Sequence, residues 1–381
     1  MLMAGEPISA WARYQWTSGV GGWAEARSRW ASRPGKRFTH HVLTSADDRL
    51  SLAYQGFPEG MTYILPYLRD QMAGEIGTVA GADEQLPTWR QMLRAAHRPE
   101  ADILVLGCTR ERARRLPPAM SVLLPFRVNM TLDIDADAVH SSVSANERRQ
   151  FAALRRRHQW TCEIGTKVED LTFFYERMHL PTMASRHGEE ARSTDWNIAR
   201  HALLRHGLVL FVREGDKRVA GVLARLEDGG RTLWMRLLGV LDGASVHYRS
   251  GAVKAVYYLT MEWAAEHGVT RVNFSGGDPF PGKGVFQFKR RLHPTITHPT
   301  DHFGKSRVYL RVARDSSAVR DFLVATPMLT VDGSDQIVAT HFFDCARPIR
   351  SDIRADGPGV RGARAIDLDE FLTGSSGRKR V

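Results

Sequence analysis

The spacing of hydrophobic and polar residues predicts both strands and helices in the first third of the chain. The segments THHVLTS (39–45) and ADILVLGC (101–108) contain short apolar runs that are typical of strands. Residues 61–97 are predicted to be mostly helical, and the segment 120–134 reads as a long β-like stretch that Pro125 interrupts. No motif is recognisable before residue 130.

A helix is predicted to begin at Ser144. The sequence SANE is a capping box, in which Ser144 accepts a hydrogen bond from the amide of Glu147 and the Glu147 carboxylate reaches back to the cap. At 100° per residue, Phe151 and Leu154 share one side of this helix. Four arginines spread over another side: Arg148, Arg149, Arg155 and Arg156. A strand (160–166) and a helix (168–183) are predicted to follow.

The second half shows a longer regular pattern. Residues 208–241 read as three antiparallel strands with turns at EGDK and EDGGR. Residues 251–267 form a helix that Gly268 ends, with an apolar stripe through Val253, Tyr257, Thr260 and Ala264. Strands are predicted at TRVNFSG (270–276) and SRVYLRV (306–312). The fold class is therefore mixed α/β (α+β).

Length and charge narrow the possible functions. A chain of 381 residues is expected to form two domains. The net charge is +11, of which the segment 347–381 supplies only +3. Such an excess favours a polyanionic partner, nucleic acid above all, although a role in solubility alone stays open. We expect no membrane span and a cytoplasmic location, because no apolar run approaches 18 residues and the three cysteines are scattered.

The stretch GDPFPGKG (277–284) has the spacing of a phosphate-binding P-loop but not its chemistry. Gly284 stands where a Ser or Thr hydroxyl would hold Mg²⁺. Pro279 and Pro281 lack the backbone N–H groups that such a loop aims at phosphate. We therefore reject the P-loop interpretation.

A metal site is not expected either. His293, His298 and His302 lie close together in the sequence, but Pro294 and Pro299 break any helix that would align them.

The order helix, three antiparallel strands, long helix, strand, loop, strand is that of a GNAT acyltransferase domain. The segments RRRHQWTCEIGT, FFYERMHLPTMASRHG, VAGVLA and HYRSGAVKAVYYLTMEWAAEHGVTRVNFSGGDPFPGKGVFQFKRRL together resemble the Fem-like (FemXAB-type) branch of that superfamily. The resemblance covers about residues 132–312 and implies tandem GNAT-like domains with mixed, mostly antiparallel sheets. The implied division is a diverged N-terminal copy (1–143), a C-terminal copy (144–346) and a basic, partly disordered tail (347–381).

The resemblance implies transfer of an aminoacyl group from aminoacyl-tRNA to an amine, with no other cofactor. The absence of a coiled-coil arm favours a small-molecule or peptide acceptor in a biosynthetic pathway. Ordinary GNAT enzymes instead hold acyl-CoA where the sheet splays, with pyrophosphate on backbone amides before the long helix. Tyr248, Gly251 and Val253 occupy the positions of that signature, and only Gly251 matches it. An acyl-CoA-dependent N-acyltransferase is the alternative, and a non-catalytic RNA-binding protein is a second one.

Candidate donor-site residues follow from this resemblance. Contact with donor or tRNA is expected from Tyr248, Arg249, Lys283, Gly284, Lys289 and the four arginines of the 144–158 helix, Arg148, Arg149, Arg155 and Arg156. For each cation the alternative is a solvated surface position.

Aminolysis of an activated ester needs placement of the amine and stabilisation of an oxyanion rather than a covalent nucleophile. Lys289 resembles the Lys of the family's Phe-Lys element, and Asn273 and Ser275 are plausible donors at a strand end. Arg186, His187 and Ser275 are candidates for the acceptor pocket, with His187 as a base. The alternative role of Arg186 and His187 is capping the end of a helix.

Overall fold

The structure, a computed structural model, describes residues 5–72, 76–77, 86–187 and 193–374; the side chains of residues 5–7, 76–77 and 187 are also outside its description. The chain forms two compact units, and each is assembled from separate segments. The first unit comprises the N-terminal segment up to Ser18, Asn129–Ser275 and Lys289–Thr295. The second comprises Gly19–Val128, Gly276–Phe288 and the segment that begins at Ile296.

Within these described residues the strands are β1 (Thr39–Ser45), β2 (Ser51–Gly56), β3 (Ile76–Gly77), β4 (Ile103–Thr109), β5 (Ser121–Pro125), β6 (Val128–Asp133), β7 (Thr161–Gly165), β8 (Gly207–Glu214), β9 (Lys217–Glu227), β10 (Thr232–Val240), β11 (Arg271–Gly277), β12 (Thr295–Thr297), β13 (Ser306–Val312), β14 (Met328–Val331), β15 (Ile337–Phe343) and β16 (Ala363–Asp367).

The α-helices of the same part of the chain are α1 (Gly5–Ser18), α2 (Gly22–Ser32), α3 (Gly60–Tyr63), α4 (Leu65–Gln71), α5 (Trp89–His97), α6 (Arg110–Ala113), α7 (Ala145–His158), α8 (Val168–Phe174), α9 (Leu180–His187), α10 (Trp196–Ile198), α11 (Ser245–Ser250), α12 (Ala252–Glu266), α13 (Gly284–Arg290), α14 (Ser317–Ala325) and α15 (Leu368–Leu372). Tyr175–His179 and Ala199–Leu203 are π-helical, and short 3₁₀ turns lie at Leu204–His206, Asp228–Gly230, Leu241–Gly243 and His302–Lys305.

The first unit is built on a seven-stranded sheet with the order β12-β6-β11-β10-β9-β8-β7. Its centre is the antiparallel meander β8-β9-β10, and β11 joins the edge of β10 in parallel. This arrangement confirms the predicted meander and its following helix, α12. One face of the sheet packs against helices through a buried cluster that includes Tyr14, Phe174, Met178, Phe211 and Leu237.

The second unit is built on a six-stranded sheet with the order β3-β1-β2-β4-β13-β5 and a three-stranded sheet with the order β14-β15-β16. β13 pairs antiparallel with both β4 and β5. Mixed sheets flanked by helices confirm the predicted α/β class. The two GNAT-like copies stay a prediction.

Three features differ from the sequence analysis. β13 was assigned by sequence order to a domain 144–346, but it lies in the sheet of the second unit, because strand partners are chosen by tertiary packing. Residues 61–97, predicted to be mostly helical, contain three short helices and β3 in their described parts. The segment after residue 347 includes β16 and α15, whose Leu368 and Phe371 are buried; residues 375–381 lie outside the description.

No helix among the described residues is both long enough and apolar enough to cross a membrane.

Candidate acyl-transfer site

The site is organised by a separation of two parallel strands in the first unit. β10 and β11 are paired from Thr232 and Arg271 to Trp234 and Asn273. Directly after Trp234, β10 carries a bulge between Met235 and Leu237. Because a bulge increases the local twist and bends its strand, the two strands part at this point. The sequence predicted such a splay only through the family resemblance.

The edge of β10 beyond the splay is already hydrogen-bonded. His179 Nδ1 lies 3.1 Å from the carbonyl oxygen of Leu238, and the amide of Val240 donates to Thr182 Oγ1 at 2.9 Å. In an antiparallel pair, alternate residues turn their backbone groups away from the partner. Leu238 and Val240 therefore turn theirs away from β9, towards the side on which β11 pairs. Side chains of the π-helical turn and α9 occupy this edge.

His179 is held neutral. Its side chain is 3% exposed, and burial lowers the pKa of the imidazole, while the hydrogen bond to the Leu238 carbonyl acts in the opposite direction. Because that carbonyl can only accept, Nδ1 carries the proton. His179 is thus a fixed donor to the backbone at neutral pH.

The end of β11 is locked by side chains that the sequence analysis named. Ser275 adopts a positive φ of 63°, and its amide donates to Asn273 Oδ1 at 2.9 Å. The Ser275 hydroxyl accepts from Trp234 Nε1 at 3.0 Å and donates to the carbonyl of Met235. Ser275 thereby ties β11 to the bulge of β10, and its hydroxyl is fully engaged. Because Asn273 Oδ1 is fixed as an acceptor, Nδ2 is the donor, and it has no partner within the described residues.

Lys289 is buried rather than solvated. Its side chain, on α13, is 6% exposed, and Nζ donates to the carbonyl of Phe274 at 2.6 Å and to that of Ser275 at 3.4 Å. The alternative of a surface cation is therefore wrong. The ammonium holds the strand end next to Asn273.

A chain of rings connects α9, α11 and α12 to the same strand end. The Arg186 guanidinium lies 4.1 Å from the centre of the Tyr248 ring. Tyr257, on α12, is 7% exposed and contacts the Phe274 ring edge-on at 5.2 Å. Burial raises the pKa of the Tyr257 hydroxyl, and the charge of Arg186 partly offsets this. Arg186, Tyr248, Asn273, Ser275 and Lys289 thus belong to one region of the first unit.

Other predicted residues are placed differently. The backbone of His187 ends α9, but its side chain is outside the described part. Arg249 is exposed and donates to Ser245 Oγ at 2.8 Å. Lys283 and Gly284 belong to the second unit, where Lys283 forms an ion pair with Asp278.

The predicted basic face of α7 is only partly available to phosphate. Arg155 is paired with Glu262 at 2.9 Å, and Arg148 donates to the carbonyl of His140 at 3.4 Å. Arg149 and Arg156 are exposed, and their guanidinium groups have no hydrogen-bond or ionic partner in the described segments. Of the four arginines, these two offer uncommitted charge.

In the connection from β10 to α12, the turn next to β10 is covered by α9. Asp242 lies in it, at a positive φ of 53°, and pairs with Arg177 at 2.8 Å. A Cβ at Gly243 would lie 2.5 Å from the Pro181 carbonyl, so α9 packs directly on this connection. α11 ends immediately before α12, with Gly251 between them at φ 87°.

His179, Thr182 and Tyr257 were not proposed as site residues from the sequence. The only sequence signal for these three residues was their position in helical segments that neighbour the predicted strands of the GNAT-like pattern. Among the residues described, no group of three or more His, Cys, Asp or Glu could hold a metal ion.

Comparison with known proteins gives a family for part of the chain. Residues 141–290 match the family model described as "Acetyltransferase (GNAT) domain". The match confirms the prediction of an acyltransferase with a GNAT-type domain. No curated protein matches the chain.

Several solved structures are similar at low identity. L-PGS from Bacillus licheniformis is 11% identical with a TM-score of 0.38, covering 83% of this chain and 95% of that one. FemX is 12% identical with a TM-score of 0.38, covering 76% and 90%. A GCN5-related N-acetyltransferase from Kribbella flavida is 14% identical with a TM-score of 0.29, covering 78% and 96%. With TM-scores below 0.5, these similarities say nothing about the activity of this chain.

Proposed function

We infer that this acyltransferase takes its acyl group from aminoacyl-tRNA and transfers it to an amine on a small molecule or peptide. The observation that carries this inference is the occupied edge of β10 beyond the splay. Acyl-CoA is a long donor whose pantetheine arm carries amide groups, and an extended chain of that kind binds a strand edge through free backbone N–H and C=O groups. Here the carbonyl of Leu238 and the amide of Val240 already bond to His179 and Thr182.

Charge supports the same donor. On the β10–α12 connection, a pyrophosphate would have to compete with the Asp242 carboxylate for the Arg177 guanidinium. An aminoacyl ester on a terminal ribose needs no pyrophosphate cradle. The net charge of +11 also favours a polyanionic co-substrate.

The reaction is a direct aminolysis. The neutral amine nitrogen attacks the ester carbonyl carbon, the new C–N bond forms, and the carbonyl oxygen becomes a transient oxyanion. The C–O bond to the ribose then breaks, and the proton lost by the amine ends on the ribose hydroxyl. Asn273 Nδ2 is the donor to the oxyanion in this proposal, and Lys289 contributes positive charge beside it. Arg186 contacts the acceptor in this proposal, and His187 stays a candidate base from the sequence alone.

The test uses the purified full chain with bulk tRNA charged with labelled amino acids, a panel of amines, and acetyl-CoA in a parallel reaction. We expect label to move to an amine from one charged tRNA and not from acetyl-CoA. Asn273→Ala is expected to lower kcat about 10²-fold or more, as loss of one oxyanion donor does. Arg231→Gln, an exposed position whose side chain donates to the Asp228 carbonyl in the β9–β10 turn, is the matched control and is expected to keep its rate.

The acyl-CoA alternative has one observation in its favour, namely the acetyltransferase family model over residues 141–290. Acetyl-CoA turnover without any tRNA-dependent transfer would overturn the aminoacyl-tRNA proposal and establish the alternative. The Tm measured with and without CoA tests the acyl-CoA alternative independently. A ligand that binds the folded protein adds about 2.7 kcal/mol to the free energy of unfolding at 100 times its Kd, so CoA binding would raise the Tm.

A further inference from the structure

The second unit contains a groove that none of the proposed chemistry uses. It has a volume of about 1000 Å³ and lies between α5 and the face of β1, β2 and β4. Its floor includes Val42 and Leu104, and its other side carries Arg90 and Arg94 on α5 and Arg98 directly after the helix. A groove of this size is large enough for a ligand or for a short segment of another molecule.

The three arginines form one row. Arg90 and Arg94 are four residues apart on one side of α5, about 6 Å along its axis, and Arg98 is the C-cap that follows its last turn. All three are exposed, and none has a hydrogen bond or ion pair through its guanidinium with any residue that the structure describes. This differs from the arginines after residue 347, where Arg350, Arg354 and Arg361 pair with carboxylates.

α5, which carries these arginines, is anchored by its N-cap and by buried side chains. Its first turn is closed by a reciprocal capping box between Thr88 and Gln91, and Met92 and Ala96 are fully buried on its inner side. Arg311 Nη1 donates to the Ala96 carbonyl at 2.6 Å near the end of the helix. The charged row therefore lies on a helix whose direction is set by packing.

The floor of the groove contains a buried hydrogen-bond acceptor without a partner among the described residues. Gln55, on β2, lines the groove, and its Oε1 is buried without a hydrogen-bond partner among the described residues. A buried acceptor left unpaired is costly and calls for an explanation. A ligand with N–H or O–H groups as well as negative charge would match both the arginines and the floor.

We propose that this groove binds a segment of tRNA, with phosphates on Arg90, Arg94 and Arg98 and the sugar and base edges towards Gln55. The step between the arginines is of the order of the distance between successive phosphates in a nucleic acid strand. Uncommitted guanidinium groups suit phosphate, because their planar donors can bind two oxygens at once. The choice of tRNA as the nucleic acid rests on the proposed function.

The test measures binding of uncharged bulk tRNA to the full-length chain by fluorescence anisotropy at salt concentrations from about 50 to about 200 mM. The variant is Arg90→Gln/Arg94→Gln/Arg98→Gln. We expect weaker binding and a slope of log K against log salt that is smaller by about 2 to 3, since each lost phosphate contact removes about 0.7 to 0.9.

The matched control is Arg350→Gln/Arg354→Gln/Arg361→Gln, which removes the same charge from exposed but paired positions of the same unit. The control is expected to keep its salt slope. An equal loss in both variants would mean that net charge alone matters, and an unchanged slope in the α5 variant would mean that the groove is not used; either result overturns the proposal.

A third variant, Arg149→Gln/Arg156→Gln, tests the competing surface on α7. If it carries the whole effect while the α5 variant binds normally, the groove proposal is wrong. Loss of binding to vesicles containing anionic phospholipid, with tRNA binding intact, would likewise overturn it in favour of a lipid. Because uncharged tRNA is used and no transfer is measured, the groove result does not depend on whether aminoacyl transfer is observed.

Discussion

Replacing Lys289 by Met separates a structural from a chemical role for the buried ammonium. Met keeps most of the length and apolar volume of the side chain but removes the donor to the Phe274 and Ser275 carbonyls. The bond at 2.6 Å is charge-assisted, and such bonds contribute about 1.5 to 3 kcal/mol, whereas the contact at 3.4 Å adds little. We therefore expect the free energy of unfolding to fall by about 2 kcal/mol. For a unit of this size that corresponds to a fall in Tm of roughly 4 to 8 °C.

The chemical role has a larger and different signature. If the ammonium stabilises the oxyanion, kcat for aminoacyl transfer should fall by about 10² to 10³, that is about 2.7 to 4 kcal/mol, with KM nearly unchanged. The rate is measured at a temperature well below the Tm of the variant. Lys289→Arg keeps a charged donor and is expected to recover part of both losses. A kcat within threefold of the parent, together with the expected fall in Tm, would refute the chemical role and leave Lys289 as a residue that only positions the end of β11.

Three further outcomes are expected from the described contacts. Asp335→Asn should lower the free energy of unfolding by about 3 kcal/mol in urea denaturation, because Arg307 is fully buried and loses its charged partner at 2.6 Å. The control Asp352→Asn, in an exposed ion pair, should change the free energy of unfolding by less than about 0.5 kcal/mol. Similar losses in both variants would contradict the reasoning. Burial raises the pKa of the Asp335 carboxyl, but Arg307 more than offsets this and leaves it below its usual value. Its contribution to stability should thus be complete above about pH 5 and be lost as the pH falls below about 4, a loss that Asp335→Asn should abolish in acid titrations followed by circular dichroism. Thr182→Val should destabilise by about 1 to 3 kcal/mol because the buried amide of Val240 loses its acceptor, and a melting curve unchanged from the parent would show that the β10 edge finds another partner.

Elements whose signals are local were predicted well. β1 occupies the residues of THHVLTS, and α7 begins after Ser144, whose hydroxyl accepts from the amide of Glu147. The same motif also shows the limit of local reasoning. The Glu147 carboxylate does not complete a capping box but pairs with Lys254 at 2.7 Å, because α12 brings a cation within reach.

The candidate site shows the same division. Lys289, Asn273 and Ser275 could be named from a strand end and a family-like segment, and the structure does bring them together. Their individual bonds could not be foreseen, since they depend on the positive φ of Ser275 and on the bulge that parts β10 from β11. No sequence pattern indicated His179, because its role depends on the hydrogen bond that it makes to the Leu238 carbonyl at the edge of β10.

By itself, the sequence determined the helices and strands with strong periodicity, the α/β class, the excess of positive charge and the GNAT-like order of elements around residues 141–290. These properties depend on near neighbours in the chain or on composition. Only the tertiary structure decided that β13 joins the sheet of β4 and β5 and that the edge of β10 is occupied. It also decided that Arg155 is paired, while the guanidinium groups of Arg90, Arg94 and Arg98 have no partner among the described residues. The physical reason is that an apolar strand fits the interior of any sheet and a cation looks the same in sequence whether or not a carboxylate lies beside it. Partners distant in the chain decide both.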